Sequence, residues 1–330
     1  MTFGTSKMFA SAAVQSALAL CVALAVPTAA QAQDPSKLVK FIVPFPPGSG
    51  TDTSARYFAR KMTELTGQSV IVENRPGANG FLAVKSVLSA PADGRTVFVG
   101  SNSTLAVNVA LFKKLPYDPQ TDFAPLTMMM RAPALLVVPA TSPYKTLAEL
   151  VLGARSKPGK LNYGSGSAGY QLMAELFNEQ AQLDIVNVPF KGANEALTAV
   201  ASGTIDLAFA DITASNELVK GNRIRALAVA SDKRAGILPA VPTASEAGLP
   251  GFSAYVWVGA MVSTKTPKAE IDKLSAVLTQ IERLPETREF YEKQGAETMQ
   301  GGADEMRKFQ AAEIELWRRI AVKAKVELQE

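Results

Sequence analysis

The chain has no histidine, and its one cysteine, Cys21, lies within the first 32 residues. The missing histidine excludes a Ser-His-Asp triad, an imidazole general base and any His-bearing metal site. If the N-terminal segment is cleaved, disulfides and thiolate chemistry go with it. Carboxylates, Lys, Tyr, hydroxyls and backbone amides remain, so neither a metal nor a cofactor is expected. A charge excess of one sign is also missing. The net charge is +4 from 34 basic and 30 acidic residues, the basic residues are scattered, and no nucleic-acid partner is expected. Beyond Val26 no apolar run is long enough to span a bilayer.

The first 32 residues read as an export signal. Lys7 gives a positive start, Met8 to Val26 is almost wholly small or apolar, Pro27 breaks the run, and Ala30-Gln31-Ala32 fits a small-x-small cleavage site. The competing reading is a membrane anchor, against which stand Gln15, three serines and the cleavage pattern. A lipoprotein fits less well, because the bulky Leu20 precedes Cys21. Export of the remaining chain, about 300 residues and enough for two domains, is expected.

From residue 37 onward, short β-branched runs alternate with Gly/Ser-rich turns and stretches of helical period. Strands are expected at Val39–Pro44, Val70–Glu73, Thr96–Gly100, Leu135–Val138, Leu161–Tyr163, Ile185–Val188, Ile205–Ala210 and Arg225–Ala230. Helices are expected at Asp52–Leu65, Gly80–Ala90 and Thr146–Arg155, and after residues 169 and 192. Two tail helices, Lys268–Leu284 and Asp304–Val326, should turn Ile271, Leu274, Leu278 and Ile281, and Met306, Phe309, Leu316 and Ile320, toward the core. The alternation argues for α/β domains with largely parallel sheets.

Three loops share one design: each follows a strand, is rich in Gly or Ser, and opens a helix. Unpaired amides and the positive end of a helix dipole then face one point, which suits an anion. In such sheets these loops line the crevice at the strands' carboxyl ends. The first runs Phe45-Pro46-Pro47-Gly48-Ser49-Gly50-Thr51-Asp52, with Asp52 placed to cap the helix. It lacks the Gly-Lys-Ser/Thr of a P-loop. The second, Gly164-Ser165-Gly166-Ser167-Ala168-Gly169 followed by Tyr170, matches G-x-G-x-x-G. Against a dinucleotide fold, Asp184 precedes the next strand instead of ending it. The third is Gly100-Ser101-Asn102-Ser103-Thr104. Lys191 and Asp211 could face the same crevice; alternatively Lys191 is a solvated surface charge and Asp211 a helix cap. Tyr170 could stack on an aromatic ligand or pack at a hinge.

The ordered segments Phe41-Ile42-Val43-Pro44-Phe45-Pro46-Pro47-Gly48, Val72-Glu73-Asn74-Arg75-Pro76-Gly77-Ala78, Leu115-Pro116-Tyr117-Asp118, Val188-Pro189-Phe190-Lys191-Gly192, Arg225-Ala226-Leu227-Ala228-Val229 and Glu246-Ala247-Gly248-Leu249-Pro250-Gly251-Phe252 resemble the Bug family. These are extracytoplasmic solute receptors of tripartite tricarboxylate transporters. The resemblance implies an α/β, type II periplasmic binding-protein fold: two α/β lobes, a hinge, and a ligand cleft between them. It implies lobe 1 at 33–134 plus 257–330 and lobe 2 at 135–256. It further implies a monomer in the periplasm that binds a small carboxylate, a di- or tricarboxylate or an aromatic acid, and passes it to transporter membrane subunits. By motif position, Pro47, Gly48, Ser49, Thr51 and Asp52 would meet the ligand from one lobe, and Ser165, Ser167, Gly169, Lys191 and Asp211 from the other. Asn102, Ser103 and Tyr170 join them from the loop reading.

Two departures from the family pattern stand out. The usual Pro-Pro-Gly-Gly-Ser-Thr-Asp reads Gly48-Ser49-Gly50-Thr51 here, and Gln171 replaces a common histidine, which removes a pH switch at that position. Other readings of the residues are a ligand sensor for a two-component system and an exported enzyme using Ser, Lys or Asp. Neither Ser165 nor Ser167 sits in a nucleophile elbow.

Overall fold

The computed structural model describes residues 38–330; the expected export signal and its cleavage site lie outside the described residues. In chain order the elements are strand β1 (Val39–Val43), helix α1 (Gly50–Thr66), β2 (Val70–Asn74), α2 (Phe81–Leu88), β3 (Thr96–Ser101), a π-turn at Ser103–Val107 and α3 (Asn108–Leu111). There follow β4 (Phe123–Pro139), α4 (Leu147–Ser156), β5 (Asn162–Ser165), α5 (Ala168–Ala181), β6 (Val186–Pro189), α6 (Ala193–Ala201), β7 (Leu207–Asp211), α7 (Ile212–Lys220) and β8 (Ile224–Val229). The chain ends with β9 (Tyr255–Ser263), α8 (Lys268–Glu282), α9 (Pro285–Glu292), β10 (Glu297–Thr298) and α10 (Ala303–Lys323).

Each β-turn-α unit forms where the sequence switches from a β-branched run to helical spacing. In α1 the residues Ala55, Phe58 and Met62 face the core, and the helix stops at Gly67, whose φ of 68° places its N–H on Thr63 O. β2, β1 and β3 pair in parallel, as do β6, β5 and β7. Two long strands tie these parallel sets together. β9 runs antiparallel to β3 and β4, and β4 continues antiparallel to β7 and β8. β4 changes partner at one point: Pro133 is opposite Tyr255, and the next residue, Ala134, is opposite Asp211. The result is a two-lobed α/β fold, its lobes joined through β4 and the chain entering β9.

The sheets are mixed where largely parallel ones were expected, and the antiparallel strands are the reason. The expected strand Leu135–Val138 is only the end of the 17-residue β4. Every residue of β4 except Arg131 is buried, so the strand shows no alternation of exposed and buried positions. The helix of the first loop begins at Gly50, not Asp52. Two expected core positions are exposed: Leu65 by 44% and Leu316 by 38%. Helix α10 instead buries Met306, Gln310, Ile314, Trp317 and Ala321. Gln310 is tolerated inside because its amide donates to Leu105 O at 2.9 Å and Pro119 O at 3.0 Å. Among the described residues no helix is long and apolar enough to cross a membrane.

Candidate functional site

The three Gly/Ser loops converge. Phe45, Ser49, Gly50 and Thr51 of the first, Ser101, Asn102 and Ser103 of the third, and Gly166, Ser167, Gly169 and Tyr170 of the second line one cavity, with Ala193, Asp211 and Val256. The cavity is nearly shut. About 20 Å³ is open to the centre of a water-sized sphere, room for one or two ordered waters.

The lobes touch directly across it. Ser103 Oγ donates to Ser167 Oγ at 3.0 Å and accepts from Gly169 N at 3.0 Å. Asn194 Nδ2 donates to Pro47 O at 3.4 Å. Glycine is required for this approach. A Cβ on Gly169 would stand 2.7 Å from Ser103 Oγ, and one on Gly192 2.8 Å from Pro46 Cδ. This is a closed cleft.

The helix N-termini around the cavity differ in an informative way. Two are capped by their own N-cap side chains. Ser49 Oγ accepts from Asp52 N at 3.2 Å at the start of α1, and Asp211 Oδ1 accepts from Ala214 N at 3.0 Å at the start of α7. At α5 and α6 the N-cap residues, Ser167 and Gly192, supply no cap of their own; the α5 amide of Gly169 is met instead from across the cavity by Ser103 Oγ at 3.0 Å. The first-turn amides of both helices, with the positive ends of their dipoles, face the cavity region from Ala168–Gly169 and Ala193.

Asp211 and Tyr170 form the cavity's ionisable pair. Tyr170 Oη donates to Asp211 Oδ2 at 2.6 Å and accepts from Asp211 N at 3.1 Å, and Thr213 Oγ1 donates to Oδ1. Burial, reinforced by the adjacent carboxylate, pushes the Tyr170 hydroxyl well above the ordinary tyrosine range. It therefore stays a neutral donor at physiological pH. Asp211 both caps α7 and lines the cavity, so the two readings of this residue combine.

Of the residues singled out in the sequence, Ser49, Thr51, Asn102, Ser103, Ser167, Gly169, Tyr170 and Asp211 come together around the cavity. Pro47, Gly48, Asp52, Ser165 and Lys191 do not line it. Asp52 is buried behind the first loop. Its Oδ2 accepts from Gly48 N at 2.9 Å and Arg56 Nε at 3.0 Å, and its Oδ1 from Asn74 Nδ2 at 2.8 Å. It braces the loop from inside the first turn, and Ser49 is the cap. In this chain's loop, Gly48-Ser49-Gly50, the shifted hydroxyl is thus the one that caps α1. Ser165 donates to Asn187 Oδ1 at 2.7 Å, fixing β5 to β6. Lys191 is exposed, and its N–H bonds Glu195 Oε2 at 3.2 Å. Gln171 faces away, accepting from Gln329 Nε2 at 3.1 Å.

Phe45, Gly50, Ser101 and Gly166 lie in the three loops read from the sequence but outside the ligand-binding set drawn from them, and Ala193 and Val256 lie outside those loops. Gly50 and Gly166 carried the signal of glycine beside a strand end. Val256 carried none, because β9 was not seen.

The chain is similar to known proteins along most of its length. The pattern of the tripartite tricarboxylate transporter family receptor matches residues 54–326. Protein BugT of Bordetella pertussis is 32% identical over 286 residues, covering 86% of this chain and 88% of BugT. The structure of R. palustris Rpa4515 with adipate superposes with a TM-score of 0.86 at 33% identity, covering 89% of this chain and 99% of that one. MatC of Rhodopseudomonas palustris with bound malate gives 0.82 at 32% identity, covering 87% and 99%.

Proposed function

Because the chain belongs to the receptor family of the tripartite tricarboxylate transporters, we propose that it captures a small dicarboxylate in the cleft between its lobes and presents it to the membrane subunits of such a transporter. The observation that carries this reading is the pair of helix N-termini, α5 and α6, whose N-cap residues supply no cap of their own, at a cavity lined also by hydroxyls, Asn102, glycines, the already bonded Asp211 and the apolar Phe45, Ala193 and Val256. One carboxylate would accept from the first-turn amides of α5 and α6, displacing Ser103 Oγ from Gly169 N, where the helix dipoles favour negative charge. No cationic side chain lines the cavity, so backbone and hydroxyl donors would carry the charge recognition. Adipate in Rpa4515 and malate in MatC support an aliphatic dicarboxylate as the ligand class.

The lobes are assigned as 33–134 plus 257–330 and 135–256, with the partner change of β4 at Pro133/Ala134 in support. The site is read as non-catalytic, since the carboxylate of Asp211 is already taken up by Tyr170, Thr213 and Ala214. Family membership and the expected export signal support a periplasmic location, and the receptor is read as a monomer. The test is thermal unfolding of residues 33–330 with adipate, malate, succinate, citrate and benzoate. A ligand at a hundred times its Kd should stabilise the protein by about 2.7 kcal/mol. The reading fails if no carboxylate shifts the transition.

A further inference from the structure

A second pocket, 430 Å³ and larger than the closed cleft, is lined by residues of α5, α10 and the chain entering β9. Its walls are aromatic: Trp257, Trp317, Phe309 and Tyr255. Trp257 and Phe309 meet edge to face at 5.1 Å. Among these rings sits one carboxylate, Glu313. Its Oε2 accepts from Trp257 Nε1 at 2.8 Å and from Trp317 Nε1 at 3.1 Å.

The charges around the pocket are unequally matched. Arg131 is paired with Glu297 at 2.8 Å and stacks on Tyr255 at 5.2 Å, and Lys323 is paired with Glu179 at 3.1 Å. Glu313 has no cationic partner among the described residues; only the two indoles hold it. A second acceptor in the lining, Gln180 Oε1, is buried without a hydrogen bond. The unmet needs of this pocket are those of acceptors, one of them anionic, beside aromatic rings. Burial also pushes the Glu313 carboxyl above the usual carboxylate range, so its charge is under-compensated.

We propose that this pocket is a second binding site, for a small organic cation: an ammonium group paired with Glu313, with an apolar or aromatic body against the rings. The chemistry is complementary to the cleft, which takes an anion. A cation beside a carboxylate answers the missing counter-charge, and the ring faces add cation–π attraction. The volume falls within the range of small-molecule sites, roughly 300–1,000 Å³.

The chain has two tryptophans, and both line this pocket, so intrinsic tryptophan fluorescence reports on it directly. The probe is benzylamine, with benzyl alcohol and benzoate as matched neutral and anionic controls. Benzylamine should shift the emission saturably, and the two controls should not. Glu313→Gln, which keeps an acceptor for the indoles, should weaken the benzylamine response tenfold or more. Leu316→Lys, at the exposed rim and clear of the buried contacts, should weaken it severalfold by repulsion. Adipate-induced stabilisation should be retained in both variants. The proposal is overturned if benzylamine gives no saturable change, if benzyl alcohol matches it, or if Leu316→Lys and Glu313→Gln both bind it as the parent does.

Discussion

Ser103 stands against the first turn of α5, accepting from Gly169 N and donating to Ser167 Oγ, both at 3.0 Å. These two bonds join the loop after β3 to the loop after β5, and they hold the cleft shut. A ligand carboxylate at the α5 terminus would compete for the same donors. Closure and binding therefore draw on one set of groups, and substitutions here should affect both.

Gly169→Ala is expected to weaken binding of the proposed dicarboxylate ligand tenfold or more, about 1.4 kcal/mol. The new Cβ would fall 2.7 Å from Ser103 Oγ and 3.0 Å from Asn102 Nδ2, holding the lobes apart. Calorimetric titration measures the affinity, and small-angle scattering should show a more open particle at saturating ligand. An unchanged Kd would count against the role of this contact.

Tyr170→Phe should destabilise the fold by about 1.5–3 kcal/mol, the range for a hydrogen bond to a charged group. The phenol is the donor to Asp211 Oδ2 and the acceptor for Asp211 N, and both residues are buried. Urea unfolding gives the number. Asp211→Asn in the same background should recover part of the loss, because the buried charge is then gone.

Lys191→Ala should leave affinity for the proposed dicarboxylate ligand within about twofold, since its side chain is exposed and outside the cavity lining; a lone surface charge contributes little. Asp52→Ala, by contrast, should weaken binding and lower stability by about 1–3 kcal/mol, because Gly48 N and Asn74 Nδ2 lose their buried acceptor. Parallel titrations of the two variants separate a brace from a bystander.

Glu282 should make stability fall as pH rises. It is 2% exposed, neither carboxyl oxygen has a hydrogen-bond partner, and burial raises its folded pKa above the ordinary 4.5. The folded state then holds its proton more tightly than the unfolded chain does. Its contribution is full below about pH 4.5 and is lost as pH climbs through the raised folded value. Glu282→Gln should match the parent near pH 4 and exceed it at pH 7, as read from urea midpoints across that range.

The β-turn-α units were legible because each carries its own punctuation. Ser49 before α1 and Gly67 after it are local signals that need no tertiary information. β4 was not legible beyond its end, for two reasons. Burial on both faces erases the period of two, and Pro125 and Pro133 look like breaks in a strand. The structure absorbs Pro125 at a register shift against β9. At the site, the convergence of three loops followed from their position at strand ends. The opposite roles of Asp52 and Asp211 did not, because both are carboxylates in a helix-opening loop. Only the neighbours Asn74 and Tyr170, distant in sequence, decide which one turns inward and which one meets the cavity.

β4 and β9 are hydrogen-bonded to each other from Phe123–Ser263 to Pro133–Tyr255. Such a ladder cannot slip by a residue without turning every side chain to the wrong face. The ladder ends at Pro133–Tyr255, where β4 leaves β9 for β7, so its fixed register reaches the crossing between the lobes. That register works as a key: it sets which loop of one lobe stands opposite which loop of the other, Ser103 opposite Gly169.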